Sequence, residues 1–485
     1  MGTLYSLLVG PDLYRQFRGP ERVLNTAESW GNTAMSFCRG IFYVSTSLAF
    51  GPVIFAYLYH RGWFTTNTVL GMIQYAGILV ILAYGGRFIG RVMDPSYREF
   101  IAVWQKAHDT GTARHNEELK KYDFELIGVN ADFHAVPNHQ FWIHEPPLPG
   151  ANPITKALSW YAIHAFGRHM MYPGSMAMLN YMLKGNLRQA RQQMVAHKGG
   201  KRAWVRTTER DLLDTMYIEG SQGTPEQRHK TLVICCEGNA GYYEIGVANT
   251  PTQLGYSVLG WNHPGFGESS GLPFPKNTLA AAEAIMQYAK SLGYQEEDIV
   301  VFGWSIGGFP CAYLAANYPK IKGVILDATF DDVYPLAEAR MPRFLSGIVK
   351  YAIRSYLNLE IHAILARYKG PLRLIRRLQE EILTIDEGLG EVHVRSTNRA
   401  NYLLKEVLRV RHPELIKDLE PQVDKWLAMT PQERALSSSV AEDETSRRRL
   451  RLFAACEHYL VDFDATHVMP LDPGYFNIPT AIRSM

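Results

Sequence analysis

Residues 299–308 read Ile-Val-Val-Phe-Gly-Trp-Ser-Ile-Gly-Gly, and this stretch decides the fold of the chain. Its first four residues predict a buried strand, and the apolar residues 308–318 that follow predict a helix. Between them, Gly303, Ser305 and Gly307 form a Gly-x-Ser-x-Gly motif. A serine on such a strand-to-helix turn stands clear of the sheet, and the glycines let neighbouring backbone approach closely. The stretch therefore predicts a nucleophile elbow with Ser305 as the catalytic nucleophile.

Short apolar runs alternate with helical stretches on both sides of this motif. Predicted strands occupy 231–236, 256–261, 324–326 and 372–375, and a predicted helix occupies 278–292. Such alternation is typical of a parallel sheet covered by helices. With the elbow, it predicts an α/β-hydrolase fold with a mostly parallel sheet over residues 206–485. A charged helical insertion is expected at about 387–452, as a lid over the site or as a peripheral addition.

The remaining catalytic residues follow from the chain order of this fold, which is serine, then acid, then histidine. His467 stands in a loop-like context near the end of the sequence, where the histidine belongs. Glu380 follows the predicted strand 372–375 and is the leading candidate for the acid, with Glu381 and Asp386 behind it. We predict a triad of Ser305, Glu380 and His467.

A glycine-rich turn at 237–241 follows the predicted strand that ends at Cys236. In α/β-hydrolases this loop provides one backbone N–H of the oxyanion hole, and the residue after the nucleophile provides the other. We assign these two donors to Asn239 and Ile306. Removing one such donor costs about 3 kcal/mol of transition-state stabilisation.

Two uncharged runs, 41–59 and 62–86, stand near the start of the chain. As a helix, the first would extend roughly 28 Å, which is close to the thickness of a bilayer core. We predict a two-helix transmembrane hairpin at 41–91, between an N-terminal segment, 1–40, and a mixed juxtamembrane region, 92–205. The alternative is a buried helical hairpin of a soluble domain.

The cations around these runs predict their orientation. Both outer flanks carry arginines, whereas the connecting loop carries one: Arg22, Arg39, Arg87, Arg91 and Arg98 flank the runs, and Arg61 lies between them. The positive-inside rule then places both ends, and the hydrolase domain, in the cytosol. A basic segment at 186–206 would either lie against anionic headgroups or be a solvated helix and loop.

Composition excludes several classes of protein. Among 485 residues, 50 are basic and 47 acidic, which indicates no nucleic-acid partner, and 47% are hydrophobic, which excludes a disordered chain. The five cysteines are scattered without a Cys-x-x-Cys pair, and the histidines have no metal-binding spacing. We expect reduced thiols, no metal and no organic cofactor.

Four stretches resemble one known family, the animal α/β-hydrolase-domain phosphatidylserine lipases: residues 238–241, 261–266, 304–309 and 465–467. The resemblance implies two membrane spans and a triad at Ser305, Glu380 and His467. It also implies conversion of phosphatidylserine to lysophosphatidylserine in the endoplasmic reticulum, with monoacylglycerol as a second possible substrate. The family acid is an aspartate, whereas this chain has Glu380 followed by Glu381.

Two other functions remain open at this point. The same triad would serve a thioesterase that removes acyl groups from proteins or coenzyme A. A membrane scaffold with an inactive hydrolase fold is the other alternative, and the changed acid is the feature that favours it.

Overall fold

The computed structural model describes residues 3–19, 22–138, 148–221, 230–385, 391–436 and 444–481. Its residues group into two units, each described by itself below. The first comprises Met1–Asp132 and His164–Gly167, and the second comprises Phe133–Ile163 and Arg168–Met485.

The first unit combines helices with a short antiparallel pair of strands. Its helices are α1 Thr3–Val9, α2 Thr26–Thr46, α3 Gly51–His60, α4 Thr66–Met93, α5 Pro95–Thr110 and α6 Ala113–Leu119, and its strands are β1 Leu13–Gln16 and β2 Tyr122–Phe124. Helix α2 packs along α4, and β1 pairs antiparallel with β2.

The first predicted membrane span differs from the structure. The run 41–59 is not one helix, because α2 ends at Thr46 and α3 begins at Gly51. Pro52 stands in the first turn of α3, the one part of a helix in which a residue without an N–H is favoured. In the described part of the chain, α4 alone is long and apolar enough to cross a bilayer, with 28 residues and a length of about 42 Å. The structure thus contains one candidate span rather than two.

The apolar side chains of α3 and α4 are largely exposed. Helix α3 buries none of its residues, and α4 buries only four, all toward its C-terminal end: Ala83, Arg87, Gly90 and Arg91. The alternative of a buried helical hairpin does not fit this exposure. Contiguous exposed apolar surface of this size marks a site of contact with lipid or with another protein.

Buried ion pairs hold the C-terminal end of α4 to the start of the chain. Arg91 contacts Glu28 at 3.2 Å and Asp12 at 2.7 Å, while Arg87 contacts Asp12 at 2.6 Å. Arg22 contacts Glu28 at 2.6 Å. Arg39 also lies 3.9 Å from Glu125, so four of the cations that predict the orientation are paired with acids. The positive-inside rule nevertheless counts Lys and Arg and not net charge.

The second unit is built on one large sheet. Its strands are β3 Phe133–His134, β4 Lys201–Arg206, β5 Leu212–Ile218, β6 Leu232–Cys236, β7 Ser257–Trp261, β8 Ile299–Trp304, β9 Gly323–Asp327, β10 Leu372–Gln379 and β11 Leu460–Thr466. They lie in the order β11-β10-β9-β8-β6-β7-β5-β4-β3. The six strands from β11 to β7 run parallel, and β5 is antiparallel to β7 and to β4. The predicted α/β-hydrolase fold with a mostly parallel sheet is confirmed.

Helices cover this sheet. Before and among the central strands they are α7 Pro153–Ala162, α8 Arg168–Met171, α9 Ala177–His197, α10 Asn249–Gln253, α11 Pro275–Ser291, α12 Gly308–Asn317, α13 Val333–Ala339, α14 Ser346–Tyr356 and α15 Ile361–Leu365. Between β10 and β11 they are α16 Glu391–Thr397, α17 Arg399–Arg411, α18 Pro413–Ile416, α19 Glu420–Ala428, α20 Pro431–Leu436 and α21 Glu444–Tyr459.

The sheet begins earlier in the chain than the predicted boundary at residue 206. That boundary falls at the end of β4, which pairs with β5 along its whole length, from Lys201 with Tyr217 to Arg206 with Leu212. Part of the predicted juxtamembrane region, 92–205, thus belongs to the hydrolase unit.

The basic segment 186–206 is partly a structural element. Arg191 contacts Glu244 at 2.8 Å and Arg202 contacts Asp214 at 2.7 Å, and all four side chains are buried. Arg191 and Arg202 are therefore not available to headgroups, because they already neutralise buried acids, and the role of the other cations in the segment remains a prediction.

The helical insertion lies partly outside the described residues, which omit 386–390 and 437–443. Helix α17 starts beside the end of β10, where the N–H of Arg399 donates to Leu383. It finishes beside the start of β10, where Arg411 donates to the carbonyl of Gly370 at 2.9 Å. A helix that runs back along a strand in this way covers the sheet, so α17 fits the peripheral alternative and not the lid.

Candidate active site

Ser305 stands at the point where β8 ends and α12 begins. A single tight turn, Ser305–Gly307, joins the two elements. The backbone of Ser305 has a φ of +55°, in the left-handed region that non-glycine residues seldom adopt. Strain of this kind is characteristic of a nucleophile elbow, because the sharp turn lifts the side chain off the sheet.

Gly303 and Gly307 lie where side chains would collide with backbone. A Cβ on Gly303 would be 2.6 Å from the carbonyl oxygen of Gly307, and a Cβ on Gly307 would be 2.1 Å from that of Cys236. Both glycines are therefore required by the close approach of the elbow to the neighbouring strand.

The structure brings Ser305, His467 and Glu380 together. The Oγ of Ser305 lies 3.0 Å from Nε2 of His467, and Nδ1 of the same ring lies 2.8 Å from Oε1 of Glu380. All three side chains are buried, with Ser305 5% and His467 3% exposed. They stand at the carboxyl ends of β8, β10 and β11, which meet at one edge of the sheet. A nucleophile that contacts a base, with the base oriented by an acid, is the arrangement of serine hydrolases.

The carboxylate of Glu380 is itself held in place. Its Oε1 accepts hydrogen bonds from the backbone N–H groups of Ile382 and Leu383, at 2.9 and 3.0 Å. Two backbone donors and the imidazole thus fix its orientation, and the longer side chain of glutamate still reaches the ring.

Glu381 contacts the same histidine at a different place. Its Oε2 accepts a hydrogen bond from the backbone N–H of His467 at 2.9 Å. Of the two candidate acids that the structure describes, Glu380 contacts the imidazole, while Glu381 holds the backbone. Asp386 lies outside the described residues.

Trp304 supports His467 from the other side. Its indole Nε1 donates to the carbonyl oxygen of His467 at 3.1 Å, and the two rings are 5.5 Å apart. The indole also lies against Gly238, where a Cβ would be 2.5 Å from the ring. Sequence reasoning missed this contact, although a tryptophan directly before the nucleophile was visible.

A buried ion pair fixes the loop that follows β11. Arg377 contacts Asp327 through two hydrogen bonds of 2.8 and 2.5 Å, and it donates to the carbonyls of Thr466 and Met469. Burial raises the pKa of Asp327, and the adjacent guanidinium opposes that rise. The sequence signal for this contact was Arg377 itself, because an arginine within a buried strand requires an acidic partner.

The predicted oxyanion donors lie in two segments, Ile306 in the turn after Ser305 and Asn239 in the loop after β6. Ile306 follows Ser305 in the first turn before α12, where backbone N–H groups have no partner within the helix. The carbonyl of Asn239 accepts a hydrogen bond from the N–H of Gly174 at 3.0 Å, which holds the loop after β6. Tyr242 donates to the carbonyl of Gly174, also at 3.0 Å. The role of the two N–H groups remains a prediction.

Two buried titratable groups anchor the same loop. Glu237 accepts a hydrogen bond from the N–H of Val247 at 3.1 Å, and burial raises the pKa of Glu237 to about 7. Nε2 of His263 lies 2.8 Å from the carbonyl of Glu237, and burial lowers the pKa of His263 to about 4. The imidazole of His263 is therefore neutral at physiological pH and fills a structural position.

Within the described ranges, no three His, Cys, Asp or Glu side chains converge as a metal site would require. All five cysteines are free thiols, and burial raises the pKa of Cys235 and Cys311 well above the usual value. The thiols of Cys235 and Cys311 lie in the core and have low reactivity.

Comparison with known proteins agrees with this geometry. The family profile described as "Phosphatidylserine Lipase ABHD16 N-terminal domain" matches residues 2–125, and that of the alpha/beta hydrolase fold matches 231–465. Phosphatidylserine lipase ABHD16A of Pongo abelii is 34% identical over 99% of this chain and 100% of its own length. The chain belongs to the ABHD16 phosphatidylserine lipase family. The family resemblance that the sequence motifs indicate is thereby confirmed.

Two further relatives are similar over the same extent. The human phosphatidylserine lipase ABHD16A is 33% identical over 99% of this chain and 100% of its own length, and an uncharacterised Caenorhabditis elegans protein is 54% identical over 99% of both chains. Among solved structures, an α/β-hydrolase from Vibrio vulnificus is 17% identical over 58% of this chain and 98% of its own, with a TM-score of 0.37.

Proposed function

We propose that this ABHD16-family chain is a membrane-bound serine lipase that hydrolyses acyl esters of phospholipids. Phosphatidylserine is the substrate, lysophosphatidylserine and a fatty acid are the products, and monoacylglycerol is a second substrate. The observation that carries the proposal is the 3.0 Å contact between Oγ of Ser305 and Nε2 of His467, with Glu380 behind the imidazole. The names of the mammalian relatives support the choice of substrate.

The chemistry runs through these three residues. His467 takes the hydroxyl proton of Ser305 as its Oγ attacks the carbonyl carbon of the ester, and Glu380 stabilises the imidazolium that forms. The backbone N–H groups of Asn239 and Ile306 stabilise the oxyanion. His467 then protonates the leaving lysolipid oxygen, which leaves an acyl ester on Ser305. Water, deprotonated by His467, hydrolyses this ester, and the fatty acid leaves.

The membrane part of the proposal concerns residues 41–91. Helix α4 is one arm of a hairpin in the bilayer, and the end of α2 with α3 forms the other, shorter arm. The exposed apolar side chains of α3 and α4 support this assignment. The N-terminal segment and the hydrolase unit lie on the cytosolic face, in the endoplasmic reticulum as the family resemblance implies.

The contacts among Ser305, His467 and Glu380 support an active hydrolase over an inactive scaffold. The changed acid was the feature that favoured a scaffold, and Glu380 contacts the imidazole as an aspartate would. A lipase and a thioesterase would use the same triad and differ in whether the acyl group is attached through an oxygen ester or a thioester. Comparing turnover of the two kinds of substrate therefore distinguishes them.

The experiment compares the purified full chain with Ser305→Ala and with Ser291→Ala, a control at an exposed serine of α11. Substrates are phosphatidylserine vesicles, monoacylglycerol and a palmitoylated peptide, and a fluorophosphonate probe reports the nucleophile. The proposal predicts that wild type and control release fatty acid from phosphatidylserine and are labelled, whereas Ser305→Ala is neither active nor labelled. Turnover of the thioester alone, or an unlabelled wild type, would overturn it.

A further inference from the structure

The surface around the entrance to the triad carries exposed apolar side chains. Val468 and Met469 follow His467 directly, and Val468 is 67% exposed. Ile382, two residues after Glu380, is also exposed. The loops that carry His467 and Glu380 thus also present large apolar side chains to solvent. A single exposed apolar residue is ordinary on a protein surface, whereas several of them together indicate a contact site.

Helix α9 also presents exposed apolar side chains. Met178, Tyr181 and Met182 are exposed, and their spacing of three and four residues places them on one helical face. Asn180 lies on another face, where its Oδ1 accepts a hydrogen bond from the N–H of Gly267 and lies 3.1 Å from the hydroxyl oxygen of Tyr242. Because Tyr242 donates to Gly174, which binds Asn239, the start of α9 is fixed beside the oxyanion loop.

The segment between α13 and α14 adds a further apolar residue. Phe344 is 86% exposed. Four residues earlier, Arg340 donates to the carbonyl of Ile382, which ties this segment to the loop of Glu380. We refer to the side chains of Met178, Tyr181, Met182, Phe344, Val468 and Met469 as the mouth surface.

Exposed cations accompany part of the mouth surface. Arg343 stands directly before Phe344, and Lys156 on α7 and Lys350 on α14 are also exposed. Arg191, Arg202 and Arg354 are not among them, because they are paired with acids. Each cation near an anionic bilayer contributes about 1 kcal/mol of attraction.

We propose that the mouth surface docks onto an anionic lipid bilayer and holds the entrance to Ser305 against the headgroups. This inference rests on the proposed function for its choice of occupant. A protein seated on this surface would cover the entrance, whereas a bilayer is both the docking partner and the source of substrate. Exposed apolar groups insert between the headgroups and the surrounding cations contact anionic lipid. The acyl chain then reaches the buried serine without passing through water.

A negative charge introduced on the mouth surface tests the proposal in the full chain. Met182→Glu and Phe344→Glu each place an anion on the proposed contact. Leu292→Glu is the matched control, because Leu292 is exposed at the end of α11, before β8 begins, on the opposite edge of the sheet. We expect each mouth variant to hydrolyse phosphatidylserine vesicles about tenfold more slowly, with the control unchanged. Hydrolysis of a water-soluble short-chain ester should remain unchanged in all three.

Two results would overturn the docking surface: unchanged vesicle turnover in both mouth variants, or an equal loss on the soluble ester in chains that melt at the wild-type temperature, which would show that the substitutions act on catalysis and not on contact with the bilayer. A second measurement requires no turnover. A fluorophore attached at Met182→Cys, in chains reconstituted into phosphatidylcholine vesicles with phosphatidylglycerol, should be quenched by brominated lipid, and one at Leu292→Cys should not. Absence of quenching at position 182 would contradict docking. If the fluorophore at position 182 is quenched but the chain hydrolyses no ester, the proposed function is refuted and the docking surface is not.

Discussion

The backbone N–H of His467 donates a hydrogen bond to the side chain of Glu381, at 2.9 Å, while the imidazole of the same residue contacts Glu380. Two adjacent glutamates therefore hold one histidine by two different groups. The first carboxylate faces the ring that becomes positively charged in the proposed mechanism, and the second faces an uncharged amide. This division of roles leads to different expectations for the two positions.

Substitution of the two glutamates by glutamine should have unequal effects. Glu380→Gln retains the size of the side chain but removes the charge that stabilises the imidazolium, so kcat should fall by about 10³ to 10⁴. Glu381→Gln retains an oxygen acceptor for the N–H of His467, so kcat should fall by less than about tenfold. Steady-state turnover of the soluble ester measures both. Equal losses at the two positions would show that the roles are assigned wrongly.

Trp304 is expected to position His467 through its indole nitrogen. Trp304→Phe keeps an aromatic ring against Gly238 but removes the donor to the His467 carbonyl, which should lower the rate of fluorophosphonate labelling about tenfold. The melting temperature should change little, since the ring remains packed. Labelling at the wild-type rate would show that this hydrogen bond has no effect on the histidine.

Gly238→Ala tests the other side of the same indole. The added Cβ would lie 2.5 Å from the Trp304 ring, so the free energy of unfolding should fall by about 1 to 3 kcal/mol. In a chain that already carries Trp304→Phe, the smaller ring leaves more room, so Gly238→Ala should lower the free energy of unfolding by less. Thermal unfolding of wild type, the two single variants and the double variant measures this difference. Additive effects of the two substitutions would contradict the contact.

The buried pair of Arg377 and Asp327 should be important for stability. Arg377→Met leaves Asp327 buried without its partner and frees the carbonyls of Thr466 and Met469, which should cost about 3 to 5 kcal/mol of unfolding free energy. The double variant Arg377→Met with Asp327→Leu removes both charges and should recover part of that loss. A single variant as stable as wild type would show that the pair does not stabilise the fold.

Glu237 should make the hydrolase unit less stable as the pH rises. Its pKa in the folded chain is about 7, above the unfolded value near 4.5, so the folded state binds more protons between these values. Stability is therefore lost as the pH rises from about 4.5 through 7, by at most a few kcal/mol. Glu237→Gln, which cannot ionise, should gain stability relative to wild type from pH 5 to pH 8, by melting temperature. A constant difference across this range would contradict the raised pKa.

Most of the sheet could be predicted because its central strands are short apolar runs. Strand β4 was missed since it reads Lys-Arg-Ala-Trp-Val-Arg, and its buried Arg202 is neutralised by Asp214, a partner supplied by another strand. The interruption of the first apolar run at residues 47–50 was also missed, because an uncharged sequence gives no sign of a break beyond Pro52.

The candidate site, too, could be predicted only in part from the sequence. Ser305, Glu380 and His467 could be predicted because the fold fixes the order of the serine, the acid and the histidine along the chain, each directly after a strand. The contacts of Glu381 and Trp304 with the His467 backbone depend on the spacing of β8, β10 and β11, which sequence alone does not provide.

The most direct test of the account is to identify the residue that carries the acyl group. Wild-type chain mixed with phosphatidylserine vesicles is quenched in acid, and its peptides are analysed by mass spectrometry. The account predicts the mass of one fatty acyl group on the peptide that contains Ser305, and its absence in Ser305→Ala. Acyl groups on another residue, or continued release of lysophosphatidylserine by Ser305→Ala, would contradict it.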